Sequence, residues 1–373
     1  MIIGIDGNEA NIENKVGIGE YAFELLKQFY NFQLPISNFQ FRIYLKAATL
    51  DDMPKAREGW EYKIIGPRKM WTQFALPLSL LLDKNRPDVF FSPSHYAPRF
   101  SVVPTAISIM DLSYIHFPQL FTKHDLYQLT NWTKYSAKQA KKIFTISNFS
   151  RDDIIKTYKK RPSDVVTTYL GIKETENLKH KTENMDELNK KFGITAPYIL
   201  FVGTIQPRKN IAKLIEAVSL LKNKEIQLVV VGKKGWLWEE ILAAPEKFKV
   251  QNRIKFLDFV GNEDLPSLYK NAQCFVLPSL YEGFGLPVLE AMKFGCPVVI
   301  SNVSSLPEVG GDAAIYFDPL SVDDIVEKLT LVINDERLRI KMVEKGYNQV
   351  KKFSWEKTAK ETLKVLEELG NAR

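Results

Sequence analysis

Two periodicities alternate along this chain. Short apolar runs bounded by turn residues recur, and between them lie longer stretches whose apolar positions return every third or fourth residue. The first pattern reads as buried strand and the second as amphipathic helix. In the first half, Ile2–Ile5, Phe39–Leu45, Val89–Ser92, Thr105–Ile109 and Lys142–Ser147 are predicted strands. Glu20–Phe29, Trp71–Leu82 and Lys123–Ala140 are predicted helices. Ser150, followed by Arg151, Asp152 and Asp153, carries the signals of a further helix start, a serine cap and first-turn acids. In the second half the predicted strands are Tyr198–Val202, Gln227–Val231, Arg253–Leu257, Ala272–Leu277, Val298–Ser301 and Ala314–Phe317. Helical stretches fall between them, as parallel crossovers require. Residues 173–191 are polar and lack a strand pattern, which predicts a linker with a short helix. From Trp355 to Leu369, Leu363, Val365, Leu366 and Leu369 stand among charges and predict a terminal helix. The fold class is therefore α/β, two Rossmann-like halves built on parallel sheets.

Composition narrows the picture. A chain of 373 residues is too long for one ordinary core, and 45% hydrophobic residues supply two. The two cysteines, Cys274 and Cys296, both sit in apolar segments and read as small buried hydrophobes, which fits a reducing compartment. No apolar stretch reaches the ~18 residues that span a bilayer, and a strand begins at the N-terminus with no leader pattern. A soluble, cytoplasmic protein is expected. Most of the net charge of +7 falls in the first half and is densest from Lys134 to Arg161. Such a stretch is either a solvated helix face or a surface for anionic lipid headgroups. Nucleic acid is disfavoured, because no nucleic-acid module accompanies the charge.

The chemistry concentrates between Cys274 and Val299. An apolar strand runs into Pro278-Ser279-Leu280-Tyr281-Glu282-Gly283-Phe284-Gly285-Leu286, Pro287 suits a first helical turn, and Glu290 follows on that helix. Glycines before a helix start aim backbone N–H groups at one spot, a place for a phosphate or other anion. The helix dipole alone accounts for Glu290. It does not account for Glu282, a carboxylate in the glycine loop itself. Carboxylates that can accept hydrogen bonds from hydroxyls beside an anion loop suit a sugar nucleotide.

Glu282 to Glu290 is similar to the E-x7-E signature of the retaining family 4 glycosyltransferases. Further segments resemble that family in order: Gly17-Ile18-Gly19, Ser147-Asn148-Phe149-Ser150, Tyr169 to Ile172, and Gly203-Thr204-Ile205-Gln206-Pro207-Arg208-Lys209-Asn210. Gly232 to Trp236 and Pro307 to Gly311 complete the series. The resemblance covers essentially the whole chain. It implies the GT-B architecture, two Rossmann-like domains facing across a cleft. Residues 1–172 with the crossing helix 355–373 would form an acceptor domain, and 190–352 a nucleotide-sugar donor domain. It further implies that Arg208 and Lys209 hold the donor diphosphate, with Gly17, Gly19, Gly203, Gly283, Phe284, Gly285 and Leu286 lining the donor. Glu282 would hold hydroxyls of the transferred sugar and Glu290 those of the ribose. The pattern looks most like mannosyltransferases of surface-polysaccharide assembly, so GDP-mannose is the expected donor, with UDP-sugars as the alternative and a glycan or lipid-linked acceptor.

Two departures qualify the resemblance. Where the family has a basic residue after its N-terminal glycines, this chain has Glu20. Where it has His-Asp after a strand, this chain has Met110-Asp111, which removes the histidine that faces the transferred sugar and leaves Asp111. His95, and after it His116, are the candidates to stand in, although a lone histidine after a strand also has a structural reading. Trp236 and Trp238 follow a glycine turn and would either pack in the core or stack on a base. Glu308 reads as a helix-start acid. No Asp-x-Asp pair or His/Cys/Asp cluster with ligand spacing stands out, so no metal or cofactor is expected. The competing reading is a sugar-nucleotide-binding protein of the same fold without transfer activity.

Overall fold

The computed structural model describes residues 1–32, 39–173, 185–195, 197–261 and 263–372. The chain divides into two compact units, Met1–Gly171 with Phe353–Arg373, and Ile172–Lys352. The second unit thus starts before the expected residue 190 and includes the helix Met185–Phe192. Positions 174–184 of the predicted linker lie outside the described residues.

The first unit is built on β1 (Ile2–Asp6), β2 (Gln40–Leu45), β3 (Trp60–Ile64), β4 (Val89–Ser92), β5 (Thr105–Ser108), β6 (Lys142–Thr145) and β7 (Val165–Thr167). They pair in parallel in the order β3-β2-β1-β4-β5-β6-β7. The inner strands are buried on both faces, so their sequences are continuous apolar runs. Two strands escaped the sequence reading for the converse reason. β3 is an edge strand in which Glu61 and Lys63 interrupt the apolar pattern, and β7 is only three residues long.

Two helix expectations need correction. The cap on helix Asn148–Tyr158 is Ser147, whose Oγ accepts from the Ser150 N–H at 3.0 Å; Ser150 is already inside the helix. The predicted helix Trp71–Leu82 is two segments, a π-helical turn Trp71–Ala75 that runs into helix Leu76–Leu82. The terminal helix Trp355–Asn371 packs within the first unit. Gly171 approaches its start so closely that a Cβ there would lie 2.0 Å from the Trp355 nitrogen.

The second unit carries β8 (Tyr198–Val202), β9 (Gln227–Val231), β10 (Ile254–Leu257), β11 (Cys274–Leu277), β12 (Val298–Ser301) and β13 (Ala314–Phe317). Their order is β10-β9-β8-β11-β12-β13, again all parallel. Arg253 is in the turn before β10 rather than in the strand. Its buried guanidinium donates to the carbonyls of Val218 at 2.8 Å, Ile226 at 3.0 Å and Asn223 at 3.1 Å.

Both sheets share one logic. The chain starts in the middle, winds out to one edge, then returns to build the other half. In such sheets the loops diverge beyond the strand ends where the order reverses, beside β1 and β4 in one unit and β8 and β11 in the other. Ligands bind at those points.

Candidate functional site

At the switch point of the second unit the loops after β8, β9 and β11 converge. Gly203 and Gly232, at φ +155° and +151°, end β8 and β9. A Cβ on Gly232 would sit 2.0 Å from the Gly203 carbonyl oxygen, so only glycine permits this approach. The turn Pro207–Lys209 follows, and Asn210 at φ +57° redirects the chain into helix Ile211–Leu220. This turn delivers Arg208 and Lys209 to the loop after β11, where the Leu280 N–H donates to the Arg208 carbonyl at 2.9 Å.

Glu282 stands between the two cations. The Lys209 ammonium and the Ser279 hydroxyl, the latter at 2.6 Å, donate to Oε1, and Arg208 Nη1 lies 3.3 Å from Oε2. Arg208 also donates to the Tyr281 carbonyl. Two serines fasten the loop backbone. The Glu282 N–H donates to Ser304 Oγ at 2.9 Å, and Ser305 Oγ donates to the carbonyls of Glu282 and Phe284, each at 2.9 Å. Burial alone would push the Glu282 carboxyl up. The charges of Lys209 and Arg208 and the hydrogen bonds from Lys209 and Ser279 outweigh it and bring it down to about 2. Glu282 is therefore a desolvated anion facing two cations, an arrangement with a surplus positive charge.

Gly283 and Phe284 are buried in the same loop, and Gly285 at φ +109° caps helix Leu286–Lys293. The N–H groups at a helix start have no partners inside the helix and carry the positive end of its dipole. Glu290, one turn further on, accepts from the Tyr269 hydroxyl at 3.0 Å. Burial pushes its carboxyl up, against the hydrogen bond from Tyr269 and the charges of Lys173 and Lys293. The two acids of the motif thus differ in kind, one a locked anion and the other a half-buried carboxyl biased toward its neutral form.

The remaining predicted residues belong to the first unit. Gly17, at φ +53°, lies just before helix Ile18–Phe32, and Gly19 is buried within it; a Cβ on Gly19 would come 3.0 Å from the Glu9 carbonyl oxygen. His95 follows β4, and Met110 and Asp111 follow β5. Burial lowers the His95 pKa against the opposing charge of Asp111, so the ring is neutral near pH 7. Its Nδ1 is buried with no hydrogen-bond partner among the described residues. Asp111 Oδ1 accepts from the Ser113 N–H at 2.8 Å. His116, the second stand-in candidate, instead pairs with Asp153 at 2.6 Å on the surface.

The tryptophan expectation also changes. Trp236 is exposed rather than in the core, and Trp238 lies under the Lys234 ammonium, 4.6 Å from its ring centre. Glu308 is a first-turn acid of helix Leu306–Gly310. The basic stretch is partly spent on its own fold. Arg161 forks onto Asp164, Lys142 donates to the Ser163 carbonyl, Lys160 to that of Ala140, and Arg151 to those of Val165 and Pro162.

Some residues gave no signal in the sequence. Ser279, Ser304, Ser305 and Tyr269 are too common to single out, yet they hold the two acids and their loop. Gln206 has its Oε1 buried with no partner among the described residues, beside Arg208. Asp6 ends β1 and could have been noticed as an acid directly after a strand. Burial pushes it up to about 6, although the Asn8 N–H at 3.0 Å and Nδ2 at 2.7 Å both donate to it. Among the described residues no group of three His, Cys, Asp or Glu side chains could hold a metal ion. No described helix is long and apolar enough to cross a membrane.

Residues 184–349 match the sequence profile described as glycosyl transferases group 1. Across 367 residues the chain is 31% identical to the O-antigen chain mannosyltransferase B of Escherichia coli, covering 93% of this chain and 94% of that protein. Among solved structures, the sucrose-phosphate synthase of Thermosynechococcus elongatus superposes with a TM-score of 0.75 at 16% identity over the full length of both chains. The HepE protein of Anabaena in complex with UDP and glucose superposes with a TM-score of 0.71, also at 16% identity, over 98% of this chain and 99% of that one. At such identities the structural likeness concerns the fold, which is GT-B.

Proposed function

The chain belongs to the group 1 glycosyl transferases and is a hexosyltransferase, and from that premise we propose that it moves mannose from GDP-mannose to a glycan or lipid-linked acceptor with retention at the anomeric carbon. The observation that carries this reading is the cluster of partly buried Arg208 with buried Lys209 and Glu282 at the switch point of the second unit. The mannosyltransferase relative supports the choice of sugar. The HepE complex supports a nucleotide diphosphate as the carrier, with UDP-sugars as the alternative donor.

The chemistry follows from the charges. As the bond from the anomeric carbon to the diphosphate oxygen breaks, negative charge grows on the leaving phosphate. Arg208, Lys209 and the loop N–H groups before Leu286 meet it with donors already in place. Gly203 and Gly232 bring their backbones close enough for the diphosphate to lie against the turn. A carboxylate offers about four acceptor directions. In Glu282, Lys209 and Ser279 use two on Oε1 and Arg208 one on Oε2, which leaves Oε2 able to accept from a sugar hydroxyl. Glu290, with its carboxyl pushed up, suits ribose hydroxyls. The acceptor hydroxyl attacks from the leaving-group face, its oxygen bonds to the anomeric carbon, and its proton passes to the departing phosphate oxygen. No separate protein base is needed, which explains how Met110 can replace a histidine. In the same reading Gly17 and Gly19 serve the donor, and Asp111 and His95 the transferred sugar and acceptor.

Nucleotide release measured over a panel of nucleotide sugars tests the reading. Fastest release from GDP-mannose is expected, with an axial C2 hydroxyl preferred over its epimer. Binding of nucleotide sugars with no release from any of them, acceptor extract included, would refute transfer and leave a sugar-nucleotide-binding protein. Equal or faster release from UDP-sugars would overturn the donor assignment alone.

A further inference from the structure

Two loops of the first unit leave its switch point side by side, because β1 and β4 are neighbours with Ile5 opposite Phe91. Asparagines staple the loop after β1. Asn8 Oδ1 accepts from the Lys46 N–H and Asn11 Oδ1 from the Leu50 N–H, each at 2.8 Å, while Asn11 Nδ2 donates to the Ala48 carbonyl at 2.8 Å. The loop after β4 is folded back on itself by Ser92 Oγ, which donates to the Tyr96 carbonyl at 2.8 Å. It is also tied to helix Lys123–Gln139, where Ser136 Oγ accepts from the Ala97 N–H at 2.9 Å. Trp132 lies one turn before Ser136 on that helix, so it faces the same loop. Its ring meets that of Tyr96 at 5.7 Å between centres and 72° between planes, a corner of two aromatic walls on fixed backbone.

The polar tips around this corner lack partners. Tyr96 and Trp132 are partly buried, and neither the phenol nor the indole N–H donates a hydrogen bond among the described residues. His95, its ring centre 6.3 Å from that of Tyr96, keeps Nδ1 buried and unpaired among them. The partly buried Glu9 carboxyl accepts no hydrogen bond from them either. Burial, then the charge of Glu9, then that of Asp125 push the Tyr96 phenol up, which sets that ring between a carboxylate of the loop after β1 and one at the start of the helix. A buried polar atom left unpaired disfavours the fold until a ligand or water completes it. Ring faces, donors and acceptors gathered on fastened loops match the surface of a sugar. Its C–H groups pack on aromatic faces, and its hydroxyls pair with phenol, indole N–H, imidazole and carboxylate. From His95 to Tyr96 and on to Trp132 the ring centres are 6.3 and 5.7 Å apart, so the walls run from the switch point onto the helix and exceed what one hexose covers.

We propose that Tyr96 and Trp132 form a subsite for the second sugar of a glycan acceptor, the one next to the sugar that carries the attacking hydroxyl. The acceptor is then a chain of neutral hexoses at least two sugars long, and the Tyr96 phenol and Trp132 indole N–H bond to hydroxyls of the second. This rests on the transfer reading and deepens it. Acceptor recognition is divided between the switch point, which holds the reacting sugar, and the aromatic corner, which reads whether a chain follows.

Calorimetric titration of the full chain, saturated with GDP, tests it with methyl α-mannoside and a panel of α-linked mannobioses and mannotrioses. At least one disaccharide is expected to bind tenfold or more tightly than the monosaccharide. Trp132→Ala should remove that advantage and Tyr96→Phe should reduce it several-fold, both with GDP affinity unchanged, since the proposed nucleotide site is in the other unit. Trp132→Phe keeps a ring without the N–H and should retain part of the advantage, so a folding defect in the alanine variant cannot shield the proposal. Wild-type affinity that does not depend on chain length, or no binding of any of these sugars, overturns it whatever the variants do. So does an advantage that survives Trp132→Ala and Tyr96→Phe together. Nucleotide release decides the transfer reading separately: no release from any nucleotide sugar, with the length dependence intact, would remove transfer and leave the aromatic corner as a glycan-binding site.

Discussion

Glu282→Gln keeps the shape of the side chain and removes its charge, leaving the buried Lys209 and the partly buried Arg208 opposite a neutral amide. The cluster sets the size of the effect. The fall of the Glu282 carboxyl from an ordinary 4.5 to about 2 corresponds to roughly 3 kcal/mol of preference for the anion, in line with the ~3–5 kcal/mol lost when one partner of a buried pair is removed. In a unit of this size about 3 kcal/mol lowers the midpoint by roughly 6–12 °C. Because the folded-state pKa is depressed, the contribution is fully present above pH 4.5 and is lost as the pH falls toward 2. The gap between wild type and variant should therefore be wide at pH 7 and close through that window. Ligand changes the comparison. The diphosphate of GDP supplies the negative charge that the variant lacks, so GDP should raise the variant's midpoint by more than the wild type's. Turnover should fall nonetheless, because the amide disturbs the oxygen proposed to face the transferred sugar. Differential scanning fluorimetry from pH 3 to 8, with and without GDP, together with nucleotide release, reads all of this. An unshifted midpoint at pH 7, or a smaller GDP response in the variant, would refute charge compensation in the cluster.

Glu290→Ala should weaken donor binding by about 0.5–1.5 kcal/mol with a smaller change in turnover than Glu282→Ala; calorimetric titration with GDP beside steady-state kinetics separates them, and the reverse pattern would exchange their roles. Activity should survive EDTA, since Arg208 and Lys209 supply the charge a metal would bring; loss on chelation with recovery in magnesium or manganese contradicts that. Gly232→Ala should abolish GDP binding or fold poorly, because its Cβ would lie 2.0 Å from the Gly203 carbonyl oxygen; unchanged GDP affinity would show that the loops can part without harm. Asp6→Asn should stabilise the protein at pH 7 by up to about 3 kcal/mol, since a carboxyl raised to about 6 disfavours the fold once ionised. That gain should shrink as the pH falls from 6 toward 4, and equal urea midpoints at pH 7 would refute it.

What the sequence disclosed depended on how locally the information is written. Arg208-Lys209 and Glu282-Gly283-Phe284-Gly285 are contiguous strings after apolar runs, and strand-loop-helix segments must place them at strand ends. Their meeting across 73 residues was not legible from either string. It follows from the strand order that sets β8 beside β11, a long-range property. The serines that fasten the loop were invisible for a second reason: a serine becomes informative only when its partner is known. β3 failed because an edge strand answers to solvent on one side, so its charged positions mask the alternation. His116 failed differently. A histidine after a strand has the same sequence context whether it enters a site or, as here, pairs with Asp153 on the surface.

The two switch points differ in charge, and that asymmetry bears on the ligands proposed for them. In the second unit two cations face one carboxylate, and adjoining N–H groups at a helix start add to the positive potential. Such a place holds an anion strongly and a neutral sugar weakly. In the first unit the loops beyond β1, β4 and β5 carry Asp6, Glu9 and Asp111 with a neutral His95. Burial raises both Asp6 and Glu9 against the charge of Lys46, and burial followed by the charge of Glu9 raises the Tyr96 phenol. A sugar hydroxyl there would find carboxyl and imidazole acceptors. The signs therefore suit the proposed reading, with the nucleotide diphosphate on the second unit. The same argument explains why the departures from the family pattern, Glu20 and Met110, both fall in the first unit. Glu20 replaces a basic residue of that pattern, and in the proposed mechanism Arg208 and Lys209 remain to meet the leaving phosphate.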